Sequence, residues 1–133
     1  MKYWNGLVVL ACAGVLSFGI AQAQDNQFPL DNELILDVAP MRGSKRVPNM
    51  DVAANGAIAL EMWCNLVEGQ IVVAADTVTV LTGQATDRQC SPEQLRGDDE
   101  LLAALAQVTN WRREGSTLVL VGPRTLRFRI PTN

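Results

Sequence analysis

Two cysteines stand out in a 133-residue chain that contains no histidine: Cys64 in "MWCNLVEGQ" and Cys90 in "TDRQCSPEQ". Three chemistries use thiols at such positions, and the neighbouring residues test each. A zinc site needs about four nitrogen, sulfur or carboxylate ligands, and there is no imidazole to complete one. A dithiol redox centre usually shows Cys-x-x-Cys, and this spacing is far wider. A catalytic thiol needs an adjacent base, normally histidine. What remains is a structural disulfide, which closes a long loop and is worth about 3 to 4 kcal/mol on the chain-entropy model.

Other reactive pairings are weak. Ser44-Lys45 has the types of a serine–lysine nucleophile pair, but adjacent residues in a glycine loop seldom reach that geometry, and Lys45 reads as solvated. Glu93, Asp98, Asp99 and Glu100 could be paired for acid–base work. Their place at helix starts is explained by the positive end of the helix dipole. No catalytic residue, metal or cofactor is expected, and the chain reads as a non-enzyme.

Recognition is the better prospect. Trp63 and Asn65 flank Cys64 at a strand end; they either form a ligand patch or pack by the disulfide and satisfy turn backbone. Asp87-Arg88, just before Cys90, offers either an ion pair or turn chemistry, the latter being the plainer account. Arg112, Arg113, Arg124, Arg127 and Arg129 are close in sequence with Glu114 the only acid among them. They form either a strip that grips phosphate, carboxylate or an acidic partner, or the wet face of the last strands.

The chain opens "MKYWNGLVVLACAGVLSFGIAQAQ". A basic residue, an apolar run from Leu7 to Ile20 and a small-x-small site at Ala21-Gln22-Ala23 make a secretory signal peptide over 1–23, cut between Ala23 and Gln24. The run is short for a membrane span, which needs about 20 apolar residues. Cys12 lies too early in it to act as a lipobox cysteine and reads as filler, not a lipid anchor. The cut removes Lys2 from the 11 basic residues and none of the 14 acidic ones, so the mature chain is more acidic than the net −3 of the whole. Nucleic acid is therefore not an expected partner. A periplasmic or secreted protein without a membrane span is expected, acting as a monomer on an envelope protein or acidic ligand. Export also places Cys64 and Cys90 where disulfides persist.

The elements that must position these residues follow from periodicity. A flexible leader is expected over 24–32 and one domain over 33–133. "ELILDV" alternates as a strand, and "APMRGSKRVPN" is a loop. Asn55-Gly56 marks a two-residue hairpin turn and Ala75-Asp76 a second hairpin. Ser91-Pro92-Glu93-Gln94 is a capped helix start. Gly97 is expected to interrupt that helix, with a second start at Asp98-Asp99-Glu100. Leu101, Leu102, Leu105 and Val108 then take helical spacing toward the core. Glu114-Gly115-Ser116 and Gly122-Pro123 turn the last strands, in which Leu126, Phe128 and Ile130 oppose Arg127 and Arg129. Strands before and after a single helix predict an α+β domain, a small antiparallel sheet with one packed helix.

The order of a strand-end cysteine-asparagine, a two-strand stretch, "ATDRQCSP", "LLAALAQVTNW", "EGSTLVL" and a last alternating strand resembles the META/HslJ domain, over about residues 60 to 130. Trp63 stands where that family commonly has glycine, and Leu34 to Val38 stand in for its usual opening strand. The resemblance implies a small antiparallel β domain with a packed helix in bacterial envelope or secreted proteins, some tied to heat-shock and antibiotic tolerance. It brings no catalytic set with it. A secreted inhibitor of a wall hydrolase such as lysozyme is the alternative, since those are also small, exported, disulfide-bearing β proteins.

Overall fold

The computed structural model describes residues 14–15 and 26–132. The expected signal-peptide cleavage site and Cys12 lie outside the described residues. Eight strands follow in chain order: β1 (Asn32–Leu36), β2 (Asn49–Val52), β3 (Ala57–Glu61), β4 (Leu66–Ala74), β5 (Thr77–Thr82), β6 (Asn110–Glu114), β7 (Thr117–Val121) and β8 (Leu126–Arg129). The helix α1 (Pro92–Ala106) lies between β5 and β6. Each strand pairs antiparallel with the next, and β8 returns to β1 through Ile35 opposite Arg129 and Leu36 opposite Phe128. The expected antiparallel sheet with one helix is therefore present in a more specific form, a closed barrel.

Alternation decides what fills it. Leu34, Met50, Leu60, Leu118, Leu120 and Phe128 point inward and have no solvent exposure. Eight strands leave an interior just wide enough for side chains, so these residues make a core and not a channel. Closure removes the edges that an open sheet would expose.

The seam between β5 and β6 is the exception. Thr77 opposite Asn110 is the only register pair there, flanked by Val78 N–H donating to Thr109 O (3.0 Å) and Trp111 N–H to Asp76 O (2.9 Å). Beyond that point the strands part, and α1 packs along β5. Leu101, Ala104 and Leu105 join the same core as the inward strand residues. The helix completes the barrel where strand pairing stops.

Local chemistry explains the helix start. Ser91 Oγ accepts from Gln94 N–H and Gln94 Oε1 accepts from Ser91 N–H, both at 3.2 Å, a reciprocal capping box with proline following. Two helical expectations are corrected. Gly97 does not interrupt α1, which runs unbroken through it, and there is no second start at Asp98. Val108 is buried but lies past the C-cap Gln107, so it reaches the core from the connection to β6.

Gly97 has a packing reason instead. A Cβ there would lie 2.7 Å from Trp63 Cδ1 and 2.8 Å from Met41 Cε. The missing side chain lets the Trp63 indole lie directly on the helix.

The turns are mostly as the residue types predict. Gly115 takes φ +59 in the β6–β7 turn. The β2–β3 turn differs from a two-residue one. Gly56 N–H donates to Ala53 O at 2.9 Å, and of the Asn55-Gly56 pair only Gly56 has positive φ (+84). That is a type I turn followed by a left-handed residue, the next commonest hairpin connection. Ahead of β1, the segment expected as a leader packs against the barrel. Pro29 is buried, and Phe28 meets Trp111 edge-on with centroids 5.3 Å apart.

Gly97→Ala tests the helix–indole contact. Helix propensity alone would favour alanine by about 1 kcal/mol. Overpacking against a rigid ring costs about 1 to 3 kcal/mol. The variant is expected to unfold at lower urea and to lose near-UV circular dichroism from Trp63. A more stable variant with an unchanged spectrum would show that the indole is not held there.

Candidate functional site

The residues between β3 and β4, Met62 to Asn65, form the most heavily fastened turn of the barrel. Met62 N–H donates to Asn65 O at 2.9 Å and closes the turn. The expected disulfide joins Cys64 to Cys90, with Cα atoms 6.0 Å apart, and so ties this turn to the connector that enters α1.

Beneath the disulfide lies a polar network. Asp98 is only 3 % exposed, and its two carboxylate oxygens accept from Cys64 N–H (3.1 Å) and Asn65 N–H (2.8 Å). Asn65 is also buried, and its Oδ1 accepts from Thr86 Oγ1–H (2.9 Å) and Arg88 N–H (2.7 Å). Thr86 and Leu66 are joined twice: Thr86 N–H donates to Leu66 O and Leu66 N–H to the Thr86 hydroxyl Oγ1, both at 2.9 Å. No buried side-chain nitrogen or oxygen among the described residues lacks a partner. The network explains Asn65 as a backbone-satisfying residue. It also corrects the reading of Asp98 as a dipole acid. Glu93, Asp99 and Glu100 are exposed on α1, whereas Asp98 turns inward as an anchor.

Trp63 stands half-buried above this base and divides two clefts. One, of about 370 Å³, runs between Met41, Gly97, Glu100 and Arg124. The other, of about 330 Å³, is bounded by the 43–47 loop, Glu61, Arg88 and Gln94. That loop is fixed to the helix start, because Gln94 Nε2–H donates to Ser44 Oγ at 2.9 Å. A larger depression of about 600 Å³ lies on the outer faces of β1 to β4, beside Asp31, Glu33, Asp51 and Glu68. Size and rigidity therefore point to different places. We favour the smaller clefts, because a disulfide, a buried carboxylate and a capping box fix their walls, whereas the large one is a broad sheet surface.

The C-terminal arginines have a different setting. Arg112 and Arg127 both grip Glu114, at 2.8 and 2.9 Å. These contacts hold the Glu114 carboxyl below its ordinary range, the hydrogen bond from Arg112 contributing most. Arg124 lies 3.9 Å from Glu100 and Arg129 3.9 Å from Asp37. Arg112, Val119 and Arg127 share one outward row across β6, β7 and β8, yet Val119 is fully buried. The arginine stems cover it, as long amphipathic side chains do. Arg113 faces the other way, opposite Leu118, and donates to Gly115 O and Gln27 O at the barrel end. The five arginines do not form one strip: Arg124 and Arg127 line the 370 Å³ cleft with Trp63, whereas Arg88 lines the other. Among the described residues, no group of three histidine, cysteine or carboxylate side chains is placed to hold a metal.

Sequence reasoning missed Asp98. Its signal was available in part, since an acid one helical turn before Leu101 and Leu102 and two before Leu105 lies on or near the apolar stripe. Asp98→Asn is expected to cost about 1 to 3 kcal/mol, because the amide puts an NH2 donor where one of the two accepting oxygens faced a buried N–H. Urea unfolding would read this loss, and an unchanged midpoint would show that the network is not holding the turn. Cys64→Ser and Cys90→Ser should each lower the melting temperature to a similar degree, and the double variant should add little more. Additive losses would mean that the bond does not form.

Comparison with known proteins places this architecture. An NMR structure of a protein from Burkholderia xenovorans is similar, with a TM-score of 0.64 and 16 % identity over 78 % of this chain and 84 % of that one. A second NMR structure aligns with a TM-score of 0.60 and 17 % identity, over 75 % of this chain and 89 % of the other. At such identities the likeness is one of fold. No curated protein matches the sequence. The META domain profile matches residues 31–130, the whole barrel and its helix. The chain belongs to the META domain family.

Proposed function

We propose that this META-family protein is an exported, non-enzymatic binding domain of the bacterial envelope, and that its recognition surface is the disulfide-braced barrel end around Trp63 and Arg88. The observation that carries this is the fastening of the β3–β4 turn by Cys64–Cys90 and Asp98. A barrel interior filled with Phe128, Leu34, Met50 and Leu60 has no room for a ligand, so recognition falls to the outside. Binding is tightest where side chains are held in place before the partner arrives, since little entropy is then lost on association. Trp63 supplies a broad, stiff surface and Arg88 a forked donor, the types favoured at binding hot spots.

The disulfide supports an oxidising, exported location. No helix among the described residues is long and apolar enough to cross a membrane. The role is tolerance of envelope stress, exerted through a bound partner and not through turnover.

Two measurements test this reading. Intact mass of the protein recovered outside the cytoplasm should begin at Gln24, with two thiols alkylated only after reduction. A chain retained in the cytoplasm with free thiols would end the export reading. In a deletion strain under heat or antibiotic stress, the wild-type gene should restore survival, while Arg88→Glu at equal abundance should not. Full rescue by Arg88→Glu would move the functional surface elsewhere. Stoichiometric protection of a purified wall hydrolase would replace this reading with that of an inhibitor.

A further inference from the structure

The cations near the barrel end differ in their partners. Four of the C-terminal arginines, Arg112, Arg124, Arg127 and Arg129, have carboxylate partners. Lys45, Arg46 and Arg88, which border the 330 Å³ cleft, have no ion pair among the described residues. The one acid on that cleft is Glu61, whose Oε2 is already engaged by Asn49 Nδ2–H at 3.4 Å. The cleft thus carries a net charge of plus two.

Three like charges around one depression repel one another, and Glu61 is the single acid on its lining to offset them. A ligand bearing two negative charges would supply it. The neutral walls suit such a group as well. Ser44 accepts from Gln94 and so keeps its own O–H to donate. Arg88 is held through its backbone N–H by Asn65, which leaves its guanidinium free to turn toward the cleft. Trp63 offers an apolar wall for whatever the anion is attached to. Arginine forks and a lysine point charge are the usual donors to phosphoryl oxygens. A phosphoryl monoester carries close to two charges and three acceptor oxygens at neutral pH.

We propose that the cleft between the 43–47 loop and Arg88 binds a phosphate monoester, with Lys45, Arg46 and Arg88 neutralising its oxygens and Ser44 donating to them. The assignment rests on the proposed recognition surface and names its ligand chemistry. The ester's alcohol lies against Trp63, and it is either a small soluble molecule or a lipid.

The test is a ¹⁵N NMR titration of the purified protein, disulfide intact, at low ionic strength. Glycerol 3-phosphate is the soluble probe, vesicles containing phosphatidic acid are the lipid probe, and succinate is the dicarboxylate control. Saturable shifts are expected at residues 43–47, the Trp63 indole and Arg88, from one phosphate source or both. Lys45→Gln and Arg88→Gln should each weaken binding about tenfold, the loss of one charge-assisted hydrogen bond. Arg112→Glu should bind as the wild type does. Binding to the soluble ester alone assigns a free ligand, and binding to vesicles alone assigns a lipid headgroup. The proposal is overturned if neither probe binds, if succinate binds as tightly, or if the shifts map to the β6–β8 arginines. Should Arg88→Glu fail to rescue the deletion strain while neither phosphate probe binds, the surface stands and its phosphate chemistry falls. Binding without any effect on rescue is the reverse case.

Discussion

Asp98 sets the relation between the helix and the barrel. A carboxylate buried in the middle of an amphipathic helix is costly unless each oxygen is used. Here each oxygen accepts a backbone N–H from the β3–β4 turn, so the same contact that satisfies the acid fixes the turn. The consequence reaches the other side of the protein. With its first half anchored at Cys64 and Asn65, α1 presents Leu101, Ala104 and Leu105 to the core beside β5, where strand pairing to β6 has almost ended. Without that anchor, the gap between β5 and β6 would have no fixed cover.

The disulfide works on the same joint by different physics. It constrains the unfolded chain by closing a loop across 26 positions, whereas Asp98 acts only in the folded state. The two devices meet at Cys64, and Asn65 extends the joint to Thr86 and Arg88. A short stretch of connector with no regular structure, residues 83–90, is thereby fastened at Thr86, Arg88 and Cys90. That is how a loop residue such as Arg88 is given a fixed starting point for recognition.

Much of this was legible in the sequence, and the limits have physical causes. Alternation in Leu126, Phe128 and Ile130, the Asn55-Gly56 turn and the Ser91-to-Gln94 box each depend on near neighbours, and a single sequence displays near neighbours directly. The pairing of β8 with β1 depends on residues almost a hundred positions apart, and periodicity within a strand says nothing about which edge meets which. Gly97 misled because a glycine in a helix has two meanings, a break or a close approach. Only the position of Trp63 separates them. Asp98 was hidden in a run of acids, since a dipole argument accounts for Asp98, Asp99 and Glu100 equally while the helix turns only Asp98 inward. The arginines invited a binding reading by their number. Their registers instead place Arg112 and Arg127 over Val119 and on Glu114, and send Arg113 into the barrel end.

Charge economy gives the cleft its meaning. Surface ion pairs such as Arg112–Glu114 contribute little stability individually, because water screens them. They do consume cations, however, and so remove those side chains from the supply available to a ligand. Arg42 and Arg96 also lack an ion pair among the described residues, but Lys45, Arg46 and Arg88 line one cleft together, on segments that Gln94 and Asn65 secure. A scaffold whose interior is packed thus sets three unspent charges beside its most firmly braced turn. Function in a filled barrel has to be read from that coincidence, because the fold by itself is compatible with many roles.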